Sequence, residues 1–131
     1  MAKTKFERLS YSSVYQQIDK ISFTLIPGAA AVPIATFDIT PIEKLTVTVE
    51  VTVAALTGLE VWVKGDKYGK WFPIPINLLL GYGRTDAGTD ITTTPSGVAC
   101  VFMLDCSPWS DVEIRAKSAG AAKLTVTAGG K

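Results

Sequence analysis

Hydrophobic and polar residues alternate without interruption from Leu45 to Val53, LTVTVEVTV. Leu45, Val47, Val49, Val51 and Val53 fall on one face, and Thr46, Thr48, Glu50 and Thr52 on the other. Side chains on a strand change face at every residue, so the pattern predicts a half-buried β-strand with one apolar and one wet face. Val and Thr also suit a pleated, partly covered surface. The same period recurs in Ile21, Phe23 and Leu25, in Leu59, Val61 and Val63, in Val112, Ile114 and Ala116, and in Leu124, Val126 and Ala128. A further strand spans Val32 to Ile39. Pro33 cannot donate to a ladder, so this strand starts at an edge or after residue 33. Val98 to Leu104, VACVFML, is apolar at successive positions and predicts a strand covered on both faces.

Turn signals separate these runs. Pro27-Gly28, Pro41 and Leu56-Thr57-Gly58 interrupt the pattern. The glycine-bracketed Gly65–Lys70 segment predicts a hairpin that returns through Trp71-Phe72-Pro73-Ile74, and Ser118–Ala122 predicts another. Leu78, Leu79 and Leu80 form an apolar run without alternation, and residues 81–97, GYGRTDAGTDITTTPSG, read as one long polar loop. A loop of that length in a compact domain is usually functional or held by a partner. Residues 1–19 form a polar arm carrying Lys3, Lys5 and Arg8, and residues 20–131 a single domain. The sum is about eight short strands, with turn signals roughly every ten residues and no long helix. That pattern predicts an all-β protein: an antiparallel β-sandwich, jelly-roll or Ig-like, in which hairpins dominate.

Composition narrows the chemistry. The 131 residues include no histidine, which removes the commonest general base and the commonest metal ligand. No nucleophile-elbow, phosphate-loop or zincin motif is present. The carboxylates are scattered, so no catalytic residue and no cofactor is assigned. Asp86 to Asp90 lacks the ligand spacing of a calcium loop, and the two cysteines, Cys100 and Cys106, lack zinc-site spacing. Cys100, inside an apolar run, is expected to be a small buried hydrophobe rather than half of a disulfide. Thirteen basic residues against twelve acidic ones give a net charge of +1, with no broad basic face for nucleic acid. No apolar run has transmembrane length. The opening MAKTKFERLSYSS lacks the apolar stretch of a secretory signal, so synthesis in a cytoplasm is expected.

The aromatic residues are the stronger lead. Trp62 lies on the face opposite Leu59, Val61 and Val63 and therefore points outward if those three line the core. Tyr68 and Trp71 flank a hairpin tip, Tyr82 opens the long loop and Trp109 sits in a turn. Outward aromatics on a sandwich serve a protein contact or a sugar-stacking platform. The alternative is that Trp62 and Trp109 are covered by an arm or loop of the same chain. The Leu78–Leu80 run adds apolar surface of the kind that marks interfaces.

The C-terminal segment MLDCSPWSDVEIRAKSAGAAKLTVTAGGK resembles the closing hairpin of small β-sandwich virion proteins of tailed bacteriophages. In these a Trp- or Tyr-containing turn precedes a V-x-I/L-R strand, a small-residue turn and an L-x-V-x strand. LTVTVEVTV and GLEVWVKGDKYGKWFPI are similar to another of their hairpins. The resemblance implies a non-enzymatic structural role in a virion, in a head-associated or neck component, with other copies of the chain and other virion proteins as partners in a homo-oligomer. Expected contacts are Lys3, Lys5 and Arg8 in the arm, with Trp62, Leu78, Leu79, Leu80, Tyr82 and Trp109 in the domain. A carbohydrate-binding module for host attachment, stacking sugar on Trp62, Tyr68, Trp71 or Trp109, is the competing expectation.

Overall fold

The computed structural model describes residues 3–5, 16–28, 30–39, 43–65, 69–74, 80–85, 96–97, 99–106 and 109–130, with 3–5, 16–21 and 80–85 described through the backbone. The strands are β1 (Lys3–Lys5), β2 (Gln16–Leu25), β3 (Val32–Asp38), β4 (Lys44–Thr52), β5 (Leu56–Lys64), β6 (Phe72–Ile74), β7 (Leu80–Thr85), β8 (Ala99–Asp105), β9 (Asp111–Ser118) and β10 (Ala122–Gly130). Eight of them are six residues or longer, and β1 and β6 are three-residue edge strands. They form two five-stranded sheets, ordered β1-β3-β9-β5-β6 and β2-β10-β4-β8-β7. Every pairing is antiparallel except β1 with β3. The protein is therefore an all-β sandwich, as the alternation predicts.

The core lies between the sheets. From one sheet it takes Leu45, Val47, Val49 and Val51 of β4, Cys100, Phe102 and Leu104 of β8, and Leu124, Val126 and Ala128 of β10. From the other it takes Phe37 of β3, Leu59, Val61 and Val63 of β5, and Val112, Ile114 and Ala116 of β9. Each fully buried Val or Leu contributes about 1.5–3 kcal/mol relative to exposure, which is why the apolar face of each strand has one permitted register.

Several elements differ from the sequence expectation. Val53 leaves the strand face: β4 ends at Thr52, and Val53 is 68% exposed. Leu56-Thr57-Gly58 is strand rather than turn, and the departure from alternation there is a bulge against β9. Residues 81–85 of the expected 81–97 loop, together with Leu80, form β7. Strand β8 is covered on one face only: Cys100, Phe102 and Leu104 are buried, while Val101 is 43% exposed. The Ser118–Ala122 turn is not a hairpin, because β9 and β10 lie in different sheets. Of the nine connections between the described strands, only β5–β6 and β7–β8 stay within one sheet. Alternation reports which face of a strand is buried; it carries no information on which sheet the strand joins.

Candidate interaction surfaces

The outer face of the β1-β3-β9-β5-β6 sheet carries a network of polar side chains. In register, Glu113 on β9 stands between Thr36 on β3 and Trp62 on β5, and Asp111 stands between Asp38 and Lys64. Arg115 stands between Pro33 and Glu60. Thr36 Oγ1 donates to Glu113 Oε2 at 3.2 Å, and Arg115 Nε donates to Glu113 Oε1 at 2.7 Å. The Arg115 guanidinium lies 4.0 Å from the centroid of the Trp62 ring, and Trp62 Nε1 donates to Glu60 Oε1 at 2.8 Å. Lys64 Nζ lies 4.7 Å over the Trp71 ring.

Three carboxylates on this outer face are nearly inaccessible: Asp111 is 1% exposed, Asp38 5% and Glu113 8%. Buried carboxylates need hydrogen-bond donors or cations. Glu113 has Thr36 and Arg115, and Ser110 Oγ donates to Asp111 Oδ1 at 2.8 Å. Asp38 and Asp111 sit opposite each other, an arrangement that like charges disfavour. The same register row is flanked by Lys64 at one side and, through β1, by Lys5 at the other.

A second surface lies at one end of the sandwich. Here the turns that follow β2 (from Ile26) and β4 (Val53–Ala55) and precede β10 (Ala119–Ala121) continue strand ends that pair in register, Ala54 lies close to Gly120, and the Gly97 N–H donates to the Val51 carbonyl. The described residues of these segments are Ile26, Pro27, Gly28, Ala30, Ala31, Val53, Ala54, Ala55, Ser96, Gly97, Ala119, Gly120 and Ala121, and none is charged. Ile26 is 79% exposed and Val53 68%. Val53 has a φ of 77° and centres a three-residue turn in which the Ala54 N–H donates to the Thr52 carbonyl. Such a γ-turn with positive φ is rare and strained, above all for a β-branched residue.

The sequence-predicted contacts are spread over the molecule. Lys3 and Lys5 lie on β1, and Leu80 and Tyr82 on β7. Arg8, Leu78 and Leu79 lie outside the described residues, as does Tyr68. Trp62 is half-buried on the outer face, and Trp109 is half-buried and packed against the core. Each tryptophan is thus engaged by its own chain, Trp62 by Arg115, Trp71 by Lys64 and Trp109 by the core. Ile26 and Phe72, the latter 58% exposed on β6, are exposed hydrophobics that the alternation did not single out, and Val53, which it assigned to the apolar face, is exposed as well.

Among the described residues no group of three or more Asp, Glu or Cys side chains could hold a metal ion. Cys100 and Cys106 are both buried free thiols. Burial, helped by the neighbouring Asp105 charge, pushes the Cys106 thiol up to about 12. No helix among the described residues is long and apolar enough to cross a membrane.

No protein-family model matches the chain, and no curated protein does. Two solved structures are similar in fold. The SPBc2 prophage-derived protein YomS superposes with a TM-score of 0.51 at 13% identity, covering 94% of this chain and 100% of that one. The PBSX exported protein XepA superposes with a TM-score of 0.50 at 21% identity, covering 93% of this chain and 40% of that one.

Proposed function

We propose that the chain is a non-enzymatic structural protein of a bacteriophage particle, made in the host cytoplasm and incorporated into the virion. It binds other copies of itself and other virion proteins, in a head-associated or neck position. The observation that carries this reading is the end of the sandwich at which the described turn residues are uncharged, mostly alanine and glycine, and Ile26 and Val53 are exposed. A monomeric surface normally intersperses charge, and a contiguous apolar area rimmed by polar residues is the usual mark of a protein contact. Lys123, exposed at the adjoining start of β10, supplies part of that rim. The two similar folds belong to prophage proteins, which supports a phage setting.

The test is Ile26→Asp, alone and with Val53→Asp. Both side chains are mostly in solvent, so circular dichroism and the unfolding midpoint of the free protein should stay close to those of the parent. Incorporation into particles, read by co-sedimentation from infected cells, should fall at least tenfold. Normal incorporation of the folded double variant would overturn the reading.

A further inference from the structure

Strand β4 stops one residue before its own pattern does. The series Leu45, Val47, Val49, Val51 leads to Val53 as the next core residue, yet β4 ends at Thr52 and Val53 is 68% exposed. At a φ of 77° the turn reverses the alternation: Val53 stands in solvent, and Ala54 is the residue that packs partly against the core. The ladder with β10 stops at the same point. It pairs Val51 with Leu124 and Thr52 with Lys123, and the next pair in that register is Val53 with Ala122. Ala122 is a ladder residue on its β2 side, opposite Leu25, and is fully covered. Residues opposite each other in an antiparallel ladder share a face, so Val53 in that position would join Val51, Ala122 and Leu124 on the core side.

The connection to β5 explains why the chain turns instead. β4 and β5 lie in different sheets, and packed sheets stand about 10 Å apart. The chain from Thr52 to Leu56 reaches at most about 13–14 Å, and from Val53 to Leu56 at most about 10–11 Å. Ending β4 at Thr52 leaves slack and puts Val53 in a strained turn, closed by the Ala54 N–H on the Thr52 carbonyl. Ending it at Val53 relieves the strain, covers the side chain and adds a ladder pair, but draws the crossing nearly straight. Each arrangement gains what the other loses.

We infer that Val53 and Ala54 form a two-position switch, with Val53 exposed in the major conformer and paired with Ala122 in a minor one. A minor conformer of this kind is populated at about 0.1–10% and exchanges in microseconds to milliseconds. The two conformers give the Ile26 end two shapes: a knob with Val53 outward, and a flatter surface with Ala54 outward beside Gly120. The consequence rests on the assembly reading, in which this end meets both other copies and other virion proteins: one surface then fits two kinds of neighbour. A neighbour that fits the flatter shape binds about 10- to 1,000-fold more weakly than it would to a chain fixed in that conformer.

Ala54→Pro tests the switch without touching the Val53 side chain. Proline lacks the N–H that closes the turn, and it restricts the residue before it to extended backbone. In the folded variant the Val53 methyls should show nuclear Overhauser contacts to Ala122. Their relaxation by a soluble paramagnetic probe should fall at least fivefold from the parent's. In the parent, relaxation dispersion at Val53 and Ala122 should report one exchange process whose minor-state shifts match the major shifts of Ala54→Pro. Val53→Gly relieves the strain and has no side chain to cover, so it should reduce the dispersion at Ala122 at least tenfold. Val53 methyls as exposed in a folded Ala54→Pro as in the parent overturn the switch. Flat dispersion at Ala122 in the parent also overturns it, and that result holds even where Ala54→Pro fails to fold. All of these measurements use the purified chain. A flat profile leaves the Ile26→Asp incorporation test untouched, and normal incorporation of Ile26→Asp leaves the two conformers in place, so the two readings fail separately.

Discussion

Val53 is strained and exposed at once, and its backbone can be tested by a reversal of sign. Its φ of 77° lies where a Cβ is penalised, and the Ala54 N–H to Thr52 carbonyl bond fixes it there. Residues held in such regions cost of the order of 1–3 kcal/mol. Replacing Val53 by Ala or by Gly removes nearly the same apolar surface, about a third of which is covered, so the difference between the two variants isolates the backbone. At an ordinary position Ala is more stable than Gly by about 0.4–1 kcal/mol, because glycine leaves the unfolded chain freer. At positive φ the order inverts: Ala keeps the Cβ penalty and Gly does not. The expectation is that Val53→Gly is more stable than Val53→Ala by about 1 kcal/mol. For 131 residues, at about 2.1 cal/mol/K each, the unfolding entropy is about 0.27 kcal/mol/K, so the Tm values should differ by about 3–4 °C. Differential scanning calorimetry of the two variants is sufficient. A Val53→Ala protein that melts above Val53→Gly would refute the strained turn, whatever the parent's own Tm.

The remaining predictions concern ionisable groups. The Cys106 thiol is pushed up to about 12 from 9.0, chiefly by burial, so the folded state keeps a proton that the unfolded state releases above pH 9. Stability from this group is full below pH 9 and declines between pH 9 and 12. Urea midpoints should fall more steeply across that interval for the parent than for Cys106→Ala, and equal slopes would count against a buried neutral thiol. Arg115→Ala should lower the unfolding free energy by about 1–3 kcal/mol, since it leaves the covered Glu113 carboxylate with the Thr36 hydroxyl as its donor among the described residues and uncovers the Trp62 ring. A denaturant midpoint within error of the parent's would show that the bond and the ring contact contribute nothing net. In the same variant Trp62 fluorescence should shift to longer wavelength as water reaches the indole.

How much of this was legible depends on what a residue pattern encodes. The faces of β4, β5, β9 and β10 follow from period-two alternation, and so does the outward direction of Trp62. The partner that covers Trp62 does not: Arg115 is brought to it by the β5–β9 register, which no local pattern specifies. Strand β7 was hidden because LGYGRT has glycines where alternation would show. The apolar run predicts Val101 buried although it is 43% exposed, because consecutive apolar residues look alike whether one face or two is covered. Val53 continued the apolar series by identity, and nothing in its side chain announces a positive φ. The apolar end was present in the sequence only as separate runs of alanine and glycine around Ala30, Ala54 and Ala121. Their meeting depends on strands that cross between sheets.

That crossing also sets the timing of folding. β9 is the middle strand of its sheet, between β3 and β5, and β10 lies between β2 and β4. Both follow every other strand in the chain. As the chain emerges from a ribosome, β5 and β6 can close a hairpin and β4, β8 and β7 a ribbon, but β2 waits without a neighbour in its sheet and β3 has only β1. Neither sheet is whole until residues 111–130 arrive, and long-range closures of this kind are slow. Nascent chains halted before Asp111 should therefore be protease-sensitive throughout. Copies translated together would meet first as exposed valine-rich edges, and chaperone capture during synthesis would protect yield more than any increase in final stability.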